Sequence, residues 1–138
     1  MTTPQNWNQA IIEEFRANSG KVGGPFAGST LLLLHTVGAK SGQPRINPVV
    51  CVADGERLII FASKSGAPTH PDWYHNLLAH PLVTVEVGTE VFQVQAAVTP
   101  EPERTQLYNQ IAESNPGFAE YQKKTTRVIP VISLTRVK

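Results

Sequence analysis

Three tight turns constrain this chain more than any other feature. "GAKSGQP" (Gly38–Pro44), "DGER" (Asp54–Arg57) and Gly88-Thr89 each stand between two runs of strand length. Connections this short join antiparallel neighbours, because a parallel pair needs a crossover of a dozen or more residues. The first run, Thr30 to Val37, is apolar with little polar alternation, as in a strand covered on both faces. Its partner, Arg45 to Ala53, carries the β-branched Ile46, Val49, Val50 and Val52. Pro48 falls inside this second run, where it has no N–H to donate, so an edge, bulge or bend is expected there with backbone free to face a ligand. Leu58 to Ser63 reads as a third strand, Leu82 to Val87 and Val91 to Val98 as a hairpin, and Arg127 to Thr135 as the last strand.

Helical spacing fills the intervals. Trp7, Ile11, Ile12 and Phe15 lie on one side of a helix spanning Trp7 to Ala17, ended by Asn18-Ser19-Gly20. Gly20 to Gly28 is a loop: it matches neither a dinucleotide-binding glycine fingerprint nor a phosphate loop. "THPDWYHNLLAHP" gives a short helix with Thr69 as a cap near Pro71, and Pro81 stops it. Thr99-Pro100 is read as the cap of a helix bearing Leu107, Tyr108, Ile111 and Ala112, and Pro116 to Lys124 forms another. The fold class that follows is α+β: an antiparallel barrel of about six strands with short flanking helices, in one domain over residues 1–138 with the N-terminal helix within 1–19.

Composition narrows the function. Twelve basic and eleven acidic side chains give a formal net charge of +1, so no chain-wide field attracts nucleic acid, and any anion site must be local. The longest apolar stretch, Leu31 to Leu34, is too short to cross a bilayer, and Met1 to Gln5 lacks the features of a signal peptide, so a cytoplasmic protein is expected. The single Cys51 has no partner for a disulfide or a metal knuckle and reads as a small buried apolar residue. His35 reads as a strand residue with a satisfied ring. His70, His75 and His80 are spaced by five, which on a helix turns successive rings about 140° apart, poor geometry for a shared metal.

The first turn carries more chemistry than a turn needs. Lys40 and Arg45 flank Ser-Gly-Gln-Pro, and Lys64 follows the strand that should pair with Arg45's own. The three cations gather at one barrel rim with free backbone N–H groups, a nest for a phosphate or carboxylate. Solvated loop charges are the alternative.

The strings "GAKSGQPRINP", "FASKSGAPTHPDWYHNL" and "YQKKTTRVIPV", in that order, resemble the deazaflavin (coenzyme F420)-dependent nitroreductase family, also called deazaflavin-dependent oxidoreductases, found largely in actinobacteria. The resemblance runs from about Gly20 to Val131. It implies a split β-barrel of the flavin-reductase and pyridoxamine-phosphate-oxidase type that binds coenzyme F420, a deazaflavin with a phospholactyl-polyglutamate tail. By position it implies four cofactor-contacting segments: Ala39, Lys40 and Ser41; Arg45, Ile46, Asn47, Pro48, Val49 and Val50; Phe61, Ala62, Ser63 and Lys64; and Asp72, Trp73, Tyr74, His75 and Asn76. Lys40, Arg45 and Lys64 would take the tail, while backbone around Asn47 and Pro48 and the side of Trp73 would border the ring. His75 is the one histidine placed to face it. A hydride-transferring cofactor requires no catalytic nucleophile, metal or acid–base dyad from the protein.

Family members that reduce nitroimidazoles carry tyrosines in the segment matching "SNPGFAEYQ", where this chain has Asn115 and Phe118 and keeps Tyr121. With a phenol gone, Phe118 and Tyr121 would be an aromatic substrate wall suited to planar quinones or conjugated enones more than to nitroaromatics. The implied enzyme is an F420H2-dependent reductase. The rivals are a split-barrel oxidoreductase using FMN and a non-catalytic deazaflavin carrier. A homodimer and peripheral membrane association through the N-terminal helix stay open.

Overall fold

The computed structural model describes residues 4–18, 20, 30–63, 70–114, 116–125 and 128–137. Their elements run α1 (Pro4–Ala17), β1 (Leu31–Val37), β2 (Pro44–Asp54), β3 (Arg57–Phe61), α2 (Asp72–Ala79), β4 (Leu82–Val87), β5 (Glu90–Val98), α3 (Glu103–Ser114), α4 (Pro116–Lys124) and β6 (Val131–Arg136). The strands close a barrel in the order β1-β2-β3-β6-β5-β4, and every neighbouring pair is antiparallel. Gly55 (φ 63°) and Gly88 (φ 58°) supply the left-handed backbone that the β2–β3 and β4–β5 turns require.

Period-two alternation decides what each face of β1 covers. Leu32 and Leu34 point into the barrel with Cys51, Ile60, Val85, Val94, Ile132 and Leu134. Leu31 and Leu33 point outward beneath Ile11, Ile12 and Phe15 of α1. The unbroken apolar run therefore reflects two buried faces. A second outer cluster joins Ile59 and Phe61 of β3 to Tyr108 and Ile111 of α3 and Phe118 of α4. From α2, Trp73 and Leu77 pack onto the interior core.

The antiparallel barrel matches the sequence reading, and several boundaries move. The N-terminal helix begins at Pro4, ahead of Trp7. The third strand ends at Phe61: the Ala62 N–H still donates to the Pro130 carbonyl at 3.0 Å, but Pro130 has no N–H to return. The last strand starts at Val131, and Pro130 before it joins the ladder through its carbonyl.

Thr99 is not a helix cap. Its N–H and hydroxyl both donate to the Val131 carbonyl at 2.9 Å, extending the β5–β6 contact, and α3 begins only at Glu103. Glu101 holds that helix start instead, its carboxylate accepting the Thr105 N–H at 2.9 Å. At α2 the capping position is Pro71, with no side-chain cap, and Thr69 lies outside the described residues, as do 21–29 of the glycine-rich loop. No helix among the described residues is long and apolar enough to cross a membrane.

Candidate functional site: an open strand edge beside an unpaired arginine

The β1–β2 turn is closed by its own hydrogen bonds. Gly38 N–H donates to the Gln43 carbonyl at 2.9 Å, Gly42 N–H to the Gly38 carbonyl at 2.9 Å, and Gln43 N–H to Ser41 Oγ at 3.2 Å. A Cβ on Gly38 would stand 2.3 Å from Ser41 Oγ, so a side chain there would push that hydroxyl from its place under the Gln43 N–H. Ser41 thus acts within the turn, which leaves Lys40 exposed on it.

Beyond the turn, β2 has an open edge. Cys51 N–H donates to the Thr30 carbonyl at 2.9 Å. In an antiparallel ladder alternate residues turn both backbone groups to one side, so odd-numbered residues of β2 face β1, and Ile46, Pro48 and Val50 turn theirs away from it. On that far side, among the described residues, β3 pairs only with Cys51 to Asp54. Pro48 sits on this open stretch, as a residue without an N–H should.

Alongside lies a cleft of about 410 Å³ lined by Gln9, Ile12 and Arg16 of α1 and by Gln43, Pro44, Arg45, Ile46 and Asn47, within the common range of ligand sites, about 300–1,000 Å³. Its two arginines differ in kind. Arg16 grips Glu86 through Nε at 3.1 Å and Nη2 at 2.7 Å, and His35 Nε2 meets the same carboxylate at 2.6 Å. The Arg16 hydrogen bonds, with that of His35, hold the Glu86 carboxyl below the ordinary carboxylate range. Arg57 is bound by Asp54 and Glu103, Arg104 by the Ile129 carbonyl and Gln122, and Arg136 by Glu90. Among the described residues Arg45 is the one arginine with no hydrogen-bond or ion-pair partner. An exposed, unpaired guanidinium beside outward-turned backbone is equipped to take phosphate or carboxylate oxygens.

The other candidates divide between this rim and the core. Val49 faces the barrel interior, and Val50 packs outward against both the α1 and the α3–α4 clusters. Ala62 is fully buried and Ser63 half-buried, while Lys64 lies outside the described residues. Asp72 is exposed in the first turn of α2. Trp73, expected at the side of the ring, is 8% exposed and belongs to the interior core. Asn76 is buried and bonded to Ala39 and Thr36.

Tyr74 stacks its ring 4.7 Å from His70 and 5.6 Å from the exposed His75. His70 precedes α2, so helical spacing does not govern it, and its ring lies 5.9 Å from that of His75 instead of being turned away. No group of three potential metal ligands occurs among the described residues. Cys51 is buried, and burial pushes its thiol up to about 11, keeping it protonated and inert.

Phe118 lies in the aromatic cluster between β3, α3 and α4. It is 5% exposed, with its ring 5.3 Å from Phe61 and 5.4 Å from Tyr121. The hydroxyl of Tyr108, a residue read from the sequence only as part of a helix's apolar side, donates to the Phe118 carbonyl. Tyr121 beside Phe118 is half-buried, with the Lys124 ammonium 5.9 Å from its ring centre. Sequence reasoning also missed the cleft's α1 wall. The available signal was Ile12 and Arg16, four apart on one helix face.

The family model described as F420H(2)-dependent quinone reductase matches residues 7–136. An F420H(2)-dependent quinone reductase of Mycobacterium tuberculosis is 42% identical over 126 residues, covering 88% of this chain and 85% of that one. A solved F420-H2-dependent reductase is 39% identical with a TM-score of 0.68, over 75% of this chain and 92% of the other. Another solved structure, described as a domain-swapped dimer, is 34% identical with a TM-score of 0.70, over 96% and 99% of the two chains. Below 25% identity the fold alone is shared, with split barrels of the pyridoxamine 5′-phosphate oxidase type.

Proposed function

Because the chain belongs to the F420H(2)-dependent quinone reductase family, and is therefore an oxidoreductase that uses coenzyme F420, we propose that the Arg45 cleft receives the cofactor's acidic tail and that the open edge of β2 borders its ring. The observation that carries this reading is the unpaired Arg45 beside the backbone of Ile46, Pro48 and Val50. When bound, a deazaflavin supplies a hydride, because carbon stands where a flavin has its central reactive nitrogen. Lys40 and Arg45 supply charge to the tail. Ile46 and Pro48 present carbonyl oxygens, and Ile46 also an N–H, along the edge. Gln9 and Arg16 form the opposite wall, so the tail is held on two sides.

The acceptor we propose is a quinone. Reducing a nitro group gains from a phenol that polarises it, yet Tyr108 is engaged with the Phe118 carbonyl and Phe118 carries no hydroxyl. A planar quinone can stack over a flat ring without such a donor. We place the reaction in the cytoplasm, because Ile11, Ile12 and Phe15 of α1 are buried on the barrel and not free for a membrane surface. A homodimer fits the same reading, since Leu78, Leu82, Val91 and Val98 leave apolar surface exposed.

The test follows F420H2 reoxidation with and without menadione. Protein-dependent reoxidation that requires menadione is the expected result. Tight F420 binding without turnover of any quinone would make the protein a carrier, and displacement of F420 by FMN at equal concentration would favour the flavin reading.

A further inference from the structure

Asn76 stands at the one point where α2, β1 and the cation-bearing turn meet. It is 5% exposed. Its Oδ1 accepts the Ala39 N–H at 2.9 Å, and its Nδ2 donates to Thr36 Oγ1 at 3.3 Å. Ala39 immediately precedes Lys40, and Thr36 pairs with Arg45 in the β1–β2 register. Thr36 is itself 2% exposed. One buried amide thus holds the end of β1 and the start of the turn, directly before Lys40 in sequence and across the ladder from Arg45. It is fixed in turn by the helix that carries it, through Trp73 and Leu77 in the barrel core.

The turn's internal hydrogen bonds set its shape and not its placement. Gly38 to Gln43 closes on itself whether or not it leans on α2. Among the described residues, the side chain that hydrogen-bonds it to the core is Asn76. Residues holding a binding group in its productive position contribute through that positioning, because a misplaced charge forms weaker and less directional hydrogen bonds. We infer that Asn76 is a positioning residue for tail recognition: it orients Lys40 and Arg45 without itself touching the cofactor. The inference rests on the reading of the rim as the tail site.

Its signature is selectivity between the two ends of the cofactor. Asn76→Ala releases the turn while leaving β2 paired to β1 and its far edge as it was, so binding of F420 should weaken about tenfold or more, and binding of a deazaflavin chromophore lacking phosphate and glutamates should change by less than about twofold. Thr36→Val should reproduce part of the loss, and Thr36→Ser, which keeps the hydroxyl, should restore it. The measurement is fluorescence titration of both ligands on the intact chain, with circular dichroism to establish folding. Equal losses for the two ligands would reduce Asn76 to a general packing role and overturn the inference, as would unchanged F420 affinity. If Asn76→Ala does not fold, the Thr36 pair decides by the same criterion. A wild-type protein that binds the tail-less chromophore as tightly as F420 would refute the tail site itself, and the inference with it.

Discussion

Arg45 and Phe118 are single residues whose surroundings define opposite roles. Arg45 is exposed and unpaired among the described residues, whereas Arg16, Arg57, Arg104 and Arg136 each have an acceptor. Its charge is therefore available, and Arg45→Ala should weaken F420 binding about tenfold or more, the size of one charge-assisted hydrogen bond of about 1.5–3 kcal/mol. A titration showing unchanged affinity would remove Arg45 from the site. Phe118 invites the substitution that restores a phenol. Its ring is enclosed by Phe61, Tyr108 and Tyr121, and an added hydroxyl there overpacks the cluster or lacks a partner. Phe118→Tyr should lower stability by about 1–3 kcal/mol in a denaturant titration, with no gain in nitroaromatic turnover. A gain would place this ring at the acceptor.

At the scale of elements, α1 is held by an apolar contact and one polar clasp. The clasp joins Arg16 of α1, Glu86 of β4 and His35 of β1. Because its hydrogen bonds, Arg16's first, depress the Glu86 carboxyl in the folded state, the stabilisation is present above the ordinary carboxylate range and is lost as pH falls through the depressed value. Glu86→Gln should cost about 1 kcal/mol or less near neutrality, as expected with Arg16 half-exposed to solvent. The difference in melting temperature between variant and wild type should shrink below about pH 4. A pH-independent difference would mean that the clasp is not ionic. The helix itself was legible from Ile11, Ile12 and Phe15, but its partner was not, since Glu86 lies 70 residues from Arg16 in sequence.

For the molecule as a whole, the barrel closes through a short seam, with β1 meeting β4 only over Leu33 to His35, while β2 runs past the end of β3 and its first half is, among the described residues, unpaired on one side. That mismatch in strand length creates the open edge. The short turns, the two-sided apolar run of β1 and the position of Pro48 were readable locally, because backbone chemistry and side-chain period act over a few residues. Lys40 and Arg45 were recognisable as a pair of cations suited to an anion for the same reason. Whether Arg45 has an acid beside it, whether Phe118 faces a ligand or a core, and which groups Asn76 joins depend on contacts between segments distant in sequence. The amino-acid order alone thus determined the antiparallel strands and the cations offered at their first turn. The tertiary structure alone decided which of those groups are free to bind, because burial and pairing are properties of the packed chain.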